Sequence, residues 1–255
     1  MRHVAKKRFG QNFLIDEYLI NRIIDLINPK IDEEIIEIGP GFGALTTPIL
    51  ARIPYLNVIE IDRDIIAYLK QKFDKATITI YEADALKFDF SIIKNKFRLI
   101  GNLPYNISTP LLFHVLNKIE LIIDMHFMLQ KEVVERICAK PDTKDYGKLS
   151  IMLQLKLDCS YLLDVASNAF NPAPKVDSAI VRLVPKKDSL VVNEKLLNQI
   201  VTNAFNQRRK TIANSLANYL IGEDFKILDI DSKKRAENLT IKEYVNITNY
   251  IESKK

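Results

Sequence analysis

The run Gly101-Asn102-Leu103-Pro104-Tyr105 holds the most specific chemistry in the chain. An exocyclic amine on a nucleobase is a poor nucleophile, because its lone pair is delocalised into the ring. Two acceptors that take hydrogen bonds from its N–H groups draw that lone pair out of the ring plane. The side-chain oxygen of Asn102 and a neighbouring backbone carbonyl suit this task. Pro104 restricts Leu103 to extended backbone and so fixes the Leu103 carbonyl. Tyr105 offers an aromatic face for an unstacked base, worth about 1–3 kcal/mol. The same residue types also make a plain strand-ending turn, since Asn and Pro favour turns and Tyr is often a core residue.

A second group of residues points to a nucleoside. The chain has only seven glycines, and three of them, Gly39, Gly41 and Gly43, fall close together. Glycines between a strand and a helix let backbone N–H groups face a ligand with no Cβ in the way. Glu60 lies about twenty positions further on, where a carboxylate accepts hydrogen bonds from ribose hydroxyls. Asp84 follows a third strand. The pattern Gly39-x-Gly41-x-x-Ala44 fits a dinucleotide and S-adenosylmethionine equally well, and a tight turn without any ligand is the third reading. Asn102 to Tyr105 separate these, because a dehydrogenase would leave them idle.

The elements that must position these groups alternate. Strands are predicted at 34–38, 56–61, 77–81, 97–101 and 125–129, with helices at 44–51, 62–73 and 109–116 between them. Such alternation gives an open, mostly parallel sheet with helices on both faces. Two later strands, 159–165 and 178–184, flank the turn Asn171-Pro172-Ala173-Pro174 and fit an antiparallel pair at one edge. Past the charged segment Pro185-Lys186-Lys187-Asp188 only helical periodicity remains, at 196–205, 211–220 and 241–251. The expected division is a Rossmann-like domain over 1–184 and a small all-α domain over 185–255.

Composition narrows the class. At 47% hydrophobic and 27% charged residues a wholly disordered chain is excluded, and no apolar run is long enough to span a membrane. Met1 to Gly10 has basic residues with no apolar segment after them, which does not read as a secretory signal. Cys138 and Cys159 are too few for a disulfide framework, so both are expected reduced in a cytoplasmic setting. His3, His114 and His126 lack metal-ligand spacing, and no metal is expected. The net charge of +5, with much of the excess past residue 184, suits a polyanionic partner. Lys6, Lys7 and Arg8 form one cationic cluster and Arg208, Arg209 and Lys210 another. Both are candidate phosphate contacts, with a merely solvated face as the alternative.

Five blocks in order carry a family resemblance: 6–14 (Lys6-Lys7-Arg8-Phe9-Gly10-Gln11-Asn12-Phe13-Leu14), 37–41, 101–105, Phe170-Asn171-Pro172-Ala173-Pro174-Lys175-Val176-Asp177-Ser178-Ala179, and Phe205-Asn206-Gln207-Arg208-Arg209-Lys210-Thr211. The sequence resembles the small-subunit ribosomal RNA adenine N6-dimethyltransferases of the KsgA type, over almost its whole length. The resemblance implies a class I methyltransferase fold and S-adenosylmethionine as methyl donor. It implies two adjacent adenosines in the 3'-terminal hairpin loop of 16S rRNA, in the 30S subunit or its precursor, as target. It places Asn12, Leu14, Gly39, Gly41, Glu60, Asp84 and Asn102 at the donor, with Glu60 on the ribose and Asp84 on the adenine amine. Asn102, Leu103, Pro104 and Tyr105 then serve catalysis, and Phe170 is the candidate for the second face of the extruded base, with a core Phe before a proline turn as the alternative. A monomer without membrane attachment is expected. The rivals are an adenine-N6 methyltransferase for large-subunit rRNA or DNA, a dehydrogenase, and a non-enzymatic assembly factor.

Overall fold

A computed structural model describes residues 11–254. The short strand β1 (Phe13–Leu14) leads into α1 (Glu17–Ile27), which Asp16 caps by accepting the Leu19 N–H at 2.9 Å. Then β2 (Glu34–Ile38), α2 (Thr46–Leu50), β3 (Leu56–Glu60), α3 (Arg63–Lys72), β4 (Ile78–Glu82), β5 (Phe97–Asn102), α4 (Ser108–Leu116) and β6 (Ile122–Gln130) alternate. After α5 (Lys131–Cys138) and α6 (Lys148–Gln154) come β7 (Leu157–Val165), β8 (Phe170–Asn171) and β9 (Ser178–Pro185). Four helices end the chain: α7 (Glu194–Asn206), α8 (Ile212–Ser215), α9 (Gly222–Ile227) and α10 (Ile241–Ser253).

Seven strands form one sheet in the order β4-β3-β2-β5-β6-β9-β7, and β1 pairs separately with β8. β4, β3, β2, β5 and β6 are mutually parallel, while β9 runs antiparallel to β6. The central strands are apolar on both sides because helices cover both faces. Ile35, Ile36, Ile38, Leu56, Val58, Ile59, Leu99 and Ile100 are all buried. The strand order reverses between β2 and β5. Ligands of open α/β sheets bind at the carboxyl ends of strands flanking such a switch point. The loop after β2 carries Gly39 there, and Asn102 ends β5.

The chain forms two compact units, and their division departs from the expected boundary at 184/185. The first runs to Val134 and resumes over Ser160–Pro185; the second joins Glu135–Cys159 to the chain from Lys186 onward. Tyr146, Ile151, Met152 and Leu155 pack into one apolar cluster with Leu197, Ile200, Val201 and Tyr244. The segment around α6 thus buries its apolar side chains against the C-terminal helices, and a cut placed where strands stop misses it.

Candidate active site

A cavity of about 250 Å³ opens at the carboxyl ends of β2, β3, β4 and β5. Its lining includes Asn12, Leu14, Gly39, Gly41, Glu60, Asp84, Asn102, Leu103, Pro104 and Tyr105. These are all the residues that the sequence assigns to donor and amine, apart from Phe170.

Gly39 and Gly41 have φ of +66° and +55°, a region that disfavours any side chain. A Cβ on Gly39 would stand clear of protein, its nearest neighbour the Asn102 carbonyl oxygen at 4.0 Å. A Cβ on Gly41 would press on the Phe13 ring at 3.1 Å. That ring packs on Phe42 (centroids 4.6 Å apart), and Phe42 on Tyr68 (5.1 Å), so β1 lies along the glycine loop. Lys72 Nζ donates to the Phe42 carbonyl at 2.9 Å. Gly41→Ala is therefore expected to weaken S-adenosylhomocysteine binding by about tenfold, roughly 1.4 kcal/mol. Calorimetry checks this; unchanged affinity would contradict a close backbone approach to the ligand.

Carboxylates line the same floor. Glu60 is buried, and its Oε1 accepts the N–H groups of Ile61 and Asp62, each at 2.8 Å. Burial raises its pKa, opposed by those backbone donors. The arrangement orients the carboxylate, as a ribose ligand requires. Asp84 stands just past β4, where its Oδ1 accepts the Leu86 N–H at 3.0 Å.

Glu37 received no role from the sequence, yet it also lines the cavity and is 2% exposed. Thr46 Oγ1 donates to its Oε2 at 2.6 Å. Burial pushes its carboxyl up to about 7 from the ordinary 4.5, the Thr46 bond opposing and Glu60 adding to the rise. The native state therefore keeps this proton where the unfolded chain has lost it. The stability it contributes is complete below about pH 4.5, falls as pH rises, and is gone above about pH 7. Glu37→Gln keeps an acceptor for Thr46 and removes the titration. Urea unfolding between pH 4.5 and 7 is expected to lose a slope worth up to about 3 kcal/mol. An unaltered slope would show that Glu37 ionises normally.

Asn102 ends β5. Its Nδ2 donates to the Asn12 backbone carbonyl at 3.0 Å. Only the NH2 end of an amide can do so, and this fixes which end of the side chain is Oδ1. Leu103 is held by its N–H, which donates to the Met128 carbonyl at 3.1 Å. Among the described residues no protein group donates to Asn102 Oδ1 or to the Leu103 carbonyl. Two consecutive acceptors at the cavity thus lack protein donors, the requirement set for an exocyclic amine. Tyr105 is half-buried beside them.

Other sequence assignments fall elsewhere. Phe170 is 4% exposed, pairs with Leu14 across β1 and β8, and lies in an apolar cluster with Leu14, Met128 and Ile180. It is not among the residues lining the cavity, and its place at the second face of a base is a proposal. Arg208 is paired with Glu237 and donates to the Lys144 carbonyl, which neutralises part of its cluster. Arg209 and Lys210 are exposed on the second unit. Lys6, Lys7 and Arg8 lie outside the described residues. Gln11 was also unassigned. It lines the cavity and donates from Nε2 to Asp62 Oδ2 at 3.0 Å. The described residues hold no group of three His, Cys, Asp or Glu side chains placed for a metal.

The family model for ribosomal RNA adenine dimethylase matches residues 2–253. The chain belongs to that family. Proteins named ribosomal RNA small subunit methyltransferase A are similar over nearly their full lengths. The one from Nitrosospira multiformis is 51% identical, covering 98% of this chain and 97% of the relative. The one from Thiobacillus denitrificans is 53% identical, covering 98% of each. Among solved structures, a dimethyladenosine transferase from Plasmodium falciparum superposes with a TM-score of 0.81 at 27% identity, over 95% of this chain and 98% of its own. The 23S rRNA methyltransferase ErmE shares the fold, with a TM-score of 0.74 at 23% identity over 94% of this chain and all of its own. Membership in a dimethylase family resolves the glycine motif in favour of S-adenosylmethionine over a dinucleotide.

Proposed function

We propose that the chain transfers methyl groups from S-adenosylmethionine to N6 of two adjacent adenosines in the 3'-terminal hairpin loop of 16S rRNA. The pair of undonated acceptors, Asn102 Oδ1 and the Leu103 carbonyl, carries this reading. Gly39, Gly41, Glu60, Asp84, Asn12 and Leu14 are its donor-binding set. Gly39 and Gly41, each at positive φ, line the cavity, and the space beyond Gly39 fits a ligand approaching the backbone. When bound, the donor supplies an electrophilic methyl group on a sulfonium.

The residues of this chain supply placement and polarisation. The target adenine leaves its stack and lies on Tyr105. Asn102 and Leu103 accept from its amine, making the N6 lone pair available in line with the methyl carbon. No strong base is needed, because the N6 proton becomes acidic as the new bond forms. After the first methyl, one N–H remains for the cage to hold. Arg209 and Lys210, with Arg208 and Lys6 to Arg8, are proposed phosphate contacts. The small-subunit names of its half-identical relatives support the 30S subunit or its precursor as substrate. The chain is proposed to act as a monomer. No helix among the described residues is long and apolar enough to cross a membrane. The rRNA methyltransferase names of its relatives support action in the cytoplasm.

Mass mapping of methylated nucleotides after incubation with unmodified 30S particles tests this assignment. Dimethyladenosine at the two adjacent loop positions is expected. Methylation of 23S RNA or duplex DNA in place of 30S particles would overturn it.

A further inference from the structure

Tyr105 sits in the turn between β5 and α4, outside any helix or strand. Its hydroxyl nevertheless shares a 2.7 Å hydrogen bond with Ser178 Oγ. Ser178 is 0% exposed and opens β9, in register with Gln130 of β6. The residue before it is held twice: the Asp177 carbonyl accepts the Lys131 N–H at 3.0 Å, and Asp177 Oδ1 accepts the Ser167 N–H at 2.9 Å. The backbone that carries the Ser178 hydroxyl is therefore fixed by the sheet and by its own flank. At the other end, Ser108 Oγ donates to the Tyr105 carbonyl at 3.1 Å, which ties the turn to the first residue of α4. The tyrosine is thus pinned at both main chain and hydroxyl, and the hydroxyl bond holds the far end of the ring.

We propose that Ser178 is a positioning residue that holds the Tyr105 ring at the cavity and so sets how the target base stacks. The proposal rests on the reading of Tyr105 as the stacking face. A stacked base gains its energy only over a small range of offsets, and a ring free to turn loses part of that before the amine reaches its acceptors. Ser178 touches neither donor nor amine; it acts through Tyr105 alone. Removing the bond from either end should have one and the same consequence.

The test is a double-mutant cycle on the full chain with unmodified 30S particles. Ser178→Ala and Tyr105→Phe are each expected to raise KM for the particle by about tenfold, with KM for S-adenosylmethionine unchanged. The double variant should be no worse than either single one, since both remove one interaction. A 2-aminopurine at the target position should show the same loss of quenching in both. Tyr105→Phe breaks the bond without altering β9, so the cycle stands even if Ser178→Ala folds poorly. Wild-type KM and quenching in either single variant, or losses that multiply in the double, would overturn the role of Ser178. Tyr105→Ala separates the underlying reading: near-wild-type activity there would mean that the ring is no stacking face at all.

Discussion

Asn102→Ala is expected to lower kcat for adenine methylation by about 10²–10³-fold, the usual cost of removing one preorganised polar partner of a developing charge. The effect falls on kcat because the hydrogen bond strengthens as N6 gains positive character; in the ground state an adenine amine is a weak partner. Nothing in the fold requires the side chain. It makes one described hydrogen bond, to the Asn12 carbonyl, and it is only partly buried. Circular dichroism and melting temperature should therefore stay close to those of the parent. Single-turnover methyl transfer on 30S particles reads the rate. A folded variant within about threefold of the parent would remove Asn102 from the chemistry.

Arg98→Met is expected to cost about 3–5 kcal/mol of stability while leaving every cavity residue in place. Arg98 begins in β5, at the opposite end of the strand from Asn102, and is 5% exposed. Its Nε and Nη2 donate to the two Asp124 carboxylate oxygens at 2.7 and 3.1 Å. Nη1 donates to Glu33 at 2.7 Å, and Nη2 also to the Ile27 carbonyl at 2.7 Å, at the end of α1. Methionine fills much of the volume and strands a buried carboxylate. Burial works to raise the Asp124 pKa, but His126 and Arg98 outweigh it and hold the carboxyl well below its ordinary 3.8. A depressed native pKa contributes stability above that ordinary value and loses it as pH falls through the native one. The variant should thus show a smaller loss on acidification than the parent. Urea unfolding at neutral pH measures the main effect, and a change under about 1 kcal/mol would mean that Arg182, 3.2 Å from Asp124, suffices as its partner.

Much of this architecture is legible in the sequence because the parallel core strands obey a simple rule. Strands buried on both faces read as short β-branched runs, and 34–38, 56–60 and 97–102 were found nearly to the residue. The glycine cluster and Asn102 to Tyr105 are legible for another reason: glycine is scarce elsewhere in the chain, and both groups lie at the carboxyl end of a parallel core strand. Other features were hidden. β1 and β8 have two residues each, too short for any periodicity, yet Asn12, the residue just before β1, supplies the carbonyl that orients Asn102. The helix over Glu17–Ile27 is not among the predicted elements, although Leu19, Ile23, Ile24 and Ile27 recur at helical spacing. The α6 segment looks like part of the sheet domain because it lies between strands in sequence, and only packing assigns it to the other unit. Phe170 shows the converse: an aromatic before a proline turn suits a base-stacking role or a core position by type, and only the fold shows the ring buried beside Leu14, Met128 and Ile180. Glu37 needed the fold as well, since a strand-end Glu gives no sign that Thr46 and Glu60 will enclose it.

The central claim is that Asn102 and Leu103 form the acceptor pair for an adenine amine. A crystal structure of the chain with S-adenosylhomocysteine and an RNA hairpin carrying the two adjacent adenosines tests it most directly. The account predicts the target N6 within about 3.2 Å of both Asn102 Oδ1 and the Leu103 carbonyl oxygen. An extruded adenine whose N6 meets neither oxygen, beside a donor product seated on the Gly39 loop, would contradict it.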